Sequence, residues 1–192
     1  MNITDYVENI CANAKSSASE ISCINEGKKN SILSSVIDEI NLNRENIKLA
    51  NSKDIEDLKS SVNSANSFVD RLLLNDDRIN SMISSINEII LYKDPVGEVR
   101  DLKVMSSGIK VGKMTMPLGV IAMIYESRPN VTVDASALCI KSGNSIILRG
   151  GSESINTNIV LEGCIKRAFK KNKVSQNIVQ LIDNTDRKIV NE

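Results

Sequence analysis

Two short stretches carry residues whose types and spacing can do chemistry. The first, SIILRGGSES at residues 145–154, runs apolar and then breaks at Arg149, Gly150, Gly151, Ser152 and Glu153. Two glycines remove the Cβ atoms that keep backbone away from a ligand. Arg149 offers a planar fork suited to phosphate. Ser152 is placed to open a helix, whose first amides favour an anion, and Glu153 can accept hydrogen bonds from ribose hydroxyls. Together they have the character of a nucleotide-site edge. A plain strand-to-helix turn uses the same Gly-Gly-Ser, and the full G-x-G-x-x-G fingerprint is absent, which excludes a standard dinucleotide motif. The second stretch, YESRPN at 125–130, gathers Tyr125, Glu126, Ser127, Arg128 and Asn130 around Pro129. Pro129 biases Arg128 toward an extended backbone. Donors and acceptors of several kinds can hold a polar substrate or an oxyanion. A solvated loop with Asn130 as a helix cap is the competing reading.

Other chemistries are excluded by what the chain lacks. Its 192 residues contain no histidine, which removes Ser-His and Cys-His nucleophile pairs and the commonest metal ligand. No two of Cys11, Cys23, Cys139 and Cys164 stand in C-x-x-C spacing, and no metal site is expected. Cys139 sits among apolar residues at helical spacing and reads as a buried structural thiol. None of the four falls at a strand end, so none is assigned as a nucleophile. Lys141 and Lys166 read as solvated helix residues.

The elements that must position the two stretches follow from periodicity. Ile32, Leu33, Val36, Ile37 and Ile40 share one helical face, as do Ile79, Met82, Ile83, Ile86, Ile89 and Ile90, with Asn75 as N-cap. Shorter helices lie between, broken near Asn51 and Asn63. Pro95 and Gly97 end this helical section. Residues 95–117 alternate around a Ser-Ser-Gly turn and predict a β-hairpin arm. VIAMIY, an unbroken apolar run, predicts a strand covered on both faces. NVTVDASALCIKS then predicts a helix stopped at Gly143 and Asn144, SIILR a strand, and Ser152 the cap of a helix running to about Lys170. NIVQLI predicts a third strand, and TDRKIVNE the start of another helix. Strand-helix alternation of this kind implies a parallel α/β sheet with right-handed crossovers. Such sheets bind ligands beyond the carboxyl ends of their strands, which is where both chemical stretches fall. The expected divisions are a helical region at 1–94, the β-arm at 95–117, and an incomplete dinucleotide-binding α/β unit at 118–192.

Twenty-four Lys and Arg balance twenty-four Asp and Glu, so the basic excess of a nucleic-acid binder is missing, and 3% aromatics with no Trp gives little for bases to stack on. The N-terminus has no signal-peptide pattern and no apolar run reaches membrane-spanning length. A reduced, cytoplasmic protein is expected, with no membrane or nucleic-acid partner.

The run PLGVIAMIYESRPNVTVDASALCIKSGNSIILRGGSES, together with DRLLLNDDRINSM, DPVGEV and VQLIDNTDR in the same order, resembles the gamma-glutamyl phosphate reductase family of the aldehyde dehydrogenase superfamily. The resemblance spans nearly the whole chain. It implies an aldehyde-dehydrogenase-like NADPH-binding domain, a catalytic domain and an oligomerisation arm. It implies NADPH-dependent reduction of L-glutamyl 5-phosphate to glutamate 5-semialdehyde in proline biosynthesis. On this resemblance Ser127 falls where many relatives hold the oxyanion with Asn, and Arg128 and Asn130 lie toward the substrate. Tyr125, Glu126, Arg149, Gly150, Gly151, Ser152 and Glu153 lie toward the cofactor. Arg149 stands where relatives use Lys near the adenosine ribose, and its guanidinium suits the 2′-phosphate of NADPH. The implied partners are the small-molecule substrate, further copies of the complete protein, and the proline-pathway kinase. Family members are longer and carry their catalytic Cys in a second domain. The chain is therefore expected to be an N-terminal part that is inactive alone. A non-catalytic binding or assembly module, or one half of a split enzyme, is the competing expectation, and mixing with the missing half discriminates between them. An interrupted sheet would also expose an edge strand and limit solubility.

Overall fold

The apolar spacing of the first ninety residues becomes five helices. The structure, a computed structural model, describes residues 2–61, 66–186 and 188–189. Helix α1 (Ile3–Ser22) buries Ile10, Ala14, Ala18 and Ile21 along one side. Asn25 caps α2 (Glu26–Leu42) by accepting from the Lys28 amide, and Asn75 caps α5 (Asp76–Leu91) by accepting from the Arg78 amide. Helices α3 (Arg44–Ser61) and α4 (Asn66–Leu72) lie between. The break expected near Asn51 does not occur. Asn51 is buried within α3, where its amide donates to the Leu72 carbonyl and its oxygen accepts from the Leu74 amide. A polar residue that breaks an isolated helix is here retained by tertiary partners. Asn63 lies outside the described residues.

The expected arm is present as β1 (Val99–Val104) and β2 (Lys110–Met114), antiparallel around a turn with Gly108 at φ 83°. Every residue of both strands is exposed. Beyond it, β3 (Val120–Ile124), α6 (Asn130–Lys141), β4 (Ser145–Arg149), α7 (Ile155–Lys171) and β5 (Val179–Leu181) build a parallel sheet in the order β3-β4-β5. Pairing is in register, Ile124 opposite Arg149 and Leu148 opposite Leu181. Of the helix expected at 185–192, Thr185 and Asp186 are not helical, residues 188–189 form part of a 3-10 turn, and the other positions lie outside the described residues.

Strand β4 is covered on both faces. Ile146 and Leu148 join the main core with α6 and α7, while Ile147 packs against Ile10 and Ala14 of α1. This is the period-two alternation of a strand between two layers. Full burial of each such side chain contributes about 1.5–3 kcal/mol. Strand β3 is not covered in this way. It forms an edge, with Val120 and Ile124 exposed and only Ile121 and Met123 packed on the core. An apolar run alone does not reveal which strand is central. The main core runs from Ile21 in α1 to Leu181 in β5, so the N-terminal helices and the α/β part share it.

Lys141 also departs from expectation. It is buried, and its ammonium donates to the Ile90 carbonyl at 3.0 Å, Asn30 Oδ1 at 2.8 Å and Glu26 Oε1 at 3.3 Å. Three acceptors meet the full donor capacity of an ammonium, which is what allows its burial. Lys166 is half-buried and paired with Glu162 at 2.7 Å.

Candidate active site

Register alone brings the two chemical stretches together. With Ile124 opposite Arg149, the chain leaves both strands at the same level, and the Tyr125 amide still bonds the Arg149 carbonyl at 3.0 Å. The loops then close on each other, with Ser127 Oγ donating to Glu153 Oε2 at 2.8 Å. The glycines are required by this approach. A Cβ on Gly151 would stand 2.7 Å from Ser127 Oγ, and one on Gly150 would stand 3.1 Å from the Tyr125 ring and strike Asn158 Nδ2.

Beneath the loops runs a chain of hydrogen bonds with a single direction. Asn158 Nδ2 donates to Ser154 Oγ at 3.0 Å, and Ser154 Oγ donates to the Gly151 carbonyl at 3.1 Å. Thr132 Oγ1 donates to Asn158 Oδ1 at 2.9 Å, which commits its proton. The Tyr125 hydroxyl, 2.7 Å away, is therefore the donor to Thr132. Burial pushes the Tyr125 phenol up to about 12, so it remains a donor at neutral pH. Its hydroxyl is spent inside the scaffold, and only the rest of Tyr125 faces the cleft.

The cleft above these loops has a volume of about 490 Å³. Its far wall is Phe68 and Arg71 of α4, with the Arg71 guanidinium 5.7 Å from the Phe68 ring centre and 3.8 Å from the exposed Glu126 carboxylate. Three arginines, Arg71, Arg128 and Arg149, line it against Glu126 and Glu153. Arg149 Nη1 donates to the Gly150 carbonyl at 3.1 Å and Nη2 to the Thr185 carbonyl at 3.4 Å, while its buried Nε has no partner among the described residues. Tyr125, Glu126, Ser127, Arg128, Arg149, Gly151, Ser152 and Glu153 all line the cleft. Gly150 lies beneath it, packed on Tyr125. Asn130 does not line it. Asn130 faces a neighbouring cleft, where its amide donates to Asp134 Oδ2 at 3.0 Å.

Two expectations about helix starts are corrected. Asn130 does not cap α6: Pro129 holds that position and Asn130 is the first helical residue. Ser152 does not cap α7 either. Residues Ser152–Ser154 form a 3-10 turn, and the start of α7 is capped by Asp54 of α3. Asp54 Oδ1 accepts from the Asn156 amide at 3.1 Å, and Oδ2 accepts from the Thr157 amide at 2.8 Å and Thr157 Oγ1 at 2.5 Å. The Asn156 and Thr157 amides in the first turn of α7 are thus already occupied by a buried carboxylate. The cations that line the cleft for an anion are Arg71, Arg128 and Arg149.

None of the four cysteines lines the cleft. Cys139 is buried as expected, and so is Cys164. Burial pushes both thiols up to about 11, which leaves them protonated and unreactive. Among the described residues no cluster of metal-ligating side chains occurs, and no helix is long and apolar enough to cross a membrane. The α4 wall, Asp54 and the Thr132–Asn158 pair were not legible in advance. A pairing of Phe68 and Arg71 three apart on a short helix was the one local hint.

No family model matches the chain. Curated relatives do. A gamma-glutamyl phosphate reductase from Ruthia magnifica is 44% identical over 190 residues, covering 99% of this chain and 45% of the relative. One from Petrotoga mobilis is 44% identical over 192 residues, covering 100% and 46%. The chain is a homologue of the gamma-glutamyl phosphate reductases. It spans about half the length of the relatives it matches. The crystal structure of the Thermotoga maritima gamma-glutamyl phosphate reductase superposes with a TM-score of 0.92 at 36% identity, over 96% of this chain and 44% of that one. At 13% identity, the succinate-semialdehyde dehydrogenase of Burkholderia pseudomallei still superposes with a TM-score of 0.73, over 96% of this chain and 35% of that one. The fold is therefore that of the aldehyde dehydrogenases, as expected, and it is shared where the sequence is not.

Proposed function

We propose that the strand-end cleft is part of the site at which a gamma-glutamyl phosphate reductase reduces L-glutamyl 5-phosphate to L-glutamate 5-semialdehyde in proline biosynthesis, with NADPH as reductant. The observation that carries this reading is the closure of the two loops through Ser127 and Glu153, with glycines where any side chain would collide. The identity to named reductases supports the substrate class.

The residues fit a nicotinamide dinucleotide. Arg149 has a buried Nε that lacks an acceptor among the described residues, and its planar guanidinium is matched to a phosphate such as the 2′-phosphate of NADPH. Gly150 and Gly151 let backbone approach the ligand, and Ser152 and Glu153, both exposed, are placed for ribose hydroxyls. Tyr125 and Glu126 line the same wall. When bound, NADPH supplies the hydride. In the complete reductase the catalytic Cys of the second domain would attack the acyl carbon, whose C–O bond to phosphate would break with the electron pair leaving on phosphate, and the hydride would then displace the thiolate to give the aldehyde. Ser127 stands at the oxyanion position, where its hydroxyl would turn from Glu153 to donate, and Arg128 meets the phosphoryl charge. Asn130 acts at the neighbouring cleft on the substrate side. With no thiol in the cleft, the 192 residues have no reductase activity alone. The exposed β1–β2 arm serves assembly between copies of the complete protein, which works in the cytoplasm.

Titration of the chain with NADPH, followed by nicotinamide fluorescence, tests the assignment. Saturable binding, weakened about ten-fold or more in Arg149→Ala, is expected. Absence of saturable NADPH binding overturns it. Equal affinity for NADH and NADPH removes the 2′-phosphate role of Arg149.

A further inference from the structure

A second cleft of about 360 Å³ adjoins the first, between α4, α5 and the start of α6. Arg71 and Arg128 line both. Asp134 lines only the second. It lies one helical turn beyond Asn130, which bonds its Oδ2 at 3.0 Å. Asp134 Oδ1 is shielded from solvent and has no hydrogen-bond partner among the described residues. Burial holds this carboxyl above its usual range. Leaving such an atom unpaired costs about 1–3 kcal/mol, and folded proteins leave few.

The neighbouring cations do not meet that need. The Arg78 guanidinium is committed to the Asp70 carboxylate at 2.8 Å and the Leu73 carbonyl at 2.9 Å. Arg71 faces Glu126 and Phe68. Arg128 has no side-chain partner among the described residues and stands where the two clefts meet. The second cleft therefore presents one buried acceptor awaiting a donor, beside an uncommitted guanidinium awaiting an anion. That pairing is complementary to an amino acid whose side-chain acyl group reaches the first cleft.

We propose that Asp134 receives the α-ammonium group of the amino-acid substrate, with Arg128 at the junction of the two clefts keeping its role on the phosphoryl charge. The inference rests on the proposed function for what lies in the first cleft. It adds the group that distinguishes an amino-acid acyl phosphate from a plain dicarboxylic one. Asn130 is then a positioning residue: its amide holds Oδ2 and leaves Oδ1 as the oxygen without a partner among the described residues.

The test compares L-glutamate with glutarate, which lacks only the ammonium group, by chemical-shift titration of the 192-residue chain. The wild type is expected to bind L-glutamate about ten-fold or more tighter than glutarate, with the Asn130 and Asp134 amides shifting. Asp134→Asn is expected to reduce that preference to about two-fold or less, with thermal melting verifying its fold. Equal wild-type affinities, no L-glutamate binding, or a preference undiminished in a folded Asp134→Asn each overturn the inference. The wild-type ratio needs no variant. NADPH titration of the same samples reads the cofactor assignment independently. NADPH binding without an ammonium preference sinks this inference alone, and the reverse result sinks the cofactor assignment alone.

Discussion

The two helices that follow the sheet strands begin in opposite ways. Helix α6 is started by its own neighbourhood, with the Val131 amide on the Arg128 carbonyl and the Thr132 amide on the Pro129 carbonyl. Helix α7 is started from about a hundred residues away, by the Asp54 carboxylate on the Asn156 and Thr157 amides. Position after a parallel strand is thus no guarantee of a free anion-binding helix terminus. One buried acid from another helix can occupy that role, and the binding work passes to side chains at the strand ends.

The comparison can be broken most severely at α7. Asp54→Ala leaves two amides and the Thr157 hydroxyl proton without an acceptor in a buried place, and is expected to cost about 3 kcal/mol, read by urea denaturation. A loss under 1 kcal/mol would mean that α7 starts as locally as α6. Gly150→Ala forces a Cβ onto Asn158 and Tyr125 beneath the loops, and is expected to cost about 2 kcal/mol. Thr132→Val keeps the shape but removes both the acceptor for Tyr125 and the donor to Asn158. About 1–2 kcal/mol is expected from the same measurement.

The start of α6 is the gentler case. Burial raises the folded-state value of Asp134, so the unfolded chain releases its proton at a lower pH than the folded one. Stability therefore falls as pH rises from the ordinary carboxylate range through the folded value, and then levels off. Asp134→Asn is expected to melt slightly above the wild type at pH 7, with the difference vanishing below that range. A variant that melts lower at neutral pH would contradict this sign. Smallest of all, Arg128→Ala is expected to change stability by under about 0.5 kcal/mol, because the exposed side chain has no partner to lose among the described residues.

This contrast also describes what could be read in advance. The strand-helix alternation, the arm and the α5 cap were legible because each rests on neighbours within a few residues. The meeting of Tyr125–Asn130 with Arg149–Glu153 followed from parallel pairing alone. Asp54 was illegible, because an acid on a polar helix carries no mark of the amides it will meet a hundred positions later. Lys141 was misread because its three acceptors come from α2 and the end of α5. Strand β3 was misread because an apolar run does not say on which side a sheet stops. Across one proline, Arg128 lines both clefts and Asn130 only the second, in a way that spacing does not announce.

The one-way file of protons from Tyr125 through Thr132, Asn158 and Ser154 to the Gly151 carbonyl has a mechanical consequence. No member can reverse its donor without stranding the next, so the two loops are clamped to α6 and α7 as one stiff jaw. Among the described residues the opposing jaw is Phe68 and Arg71 on a seven-residue helix, with Phe68 more than half exposed. Of the two jaws it is the one that can give, and a bulkier guest should be admitted by trimming Phe68 rather than by loosening the glycines.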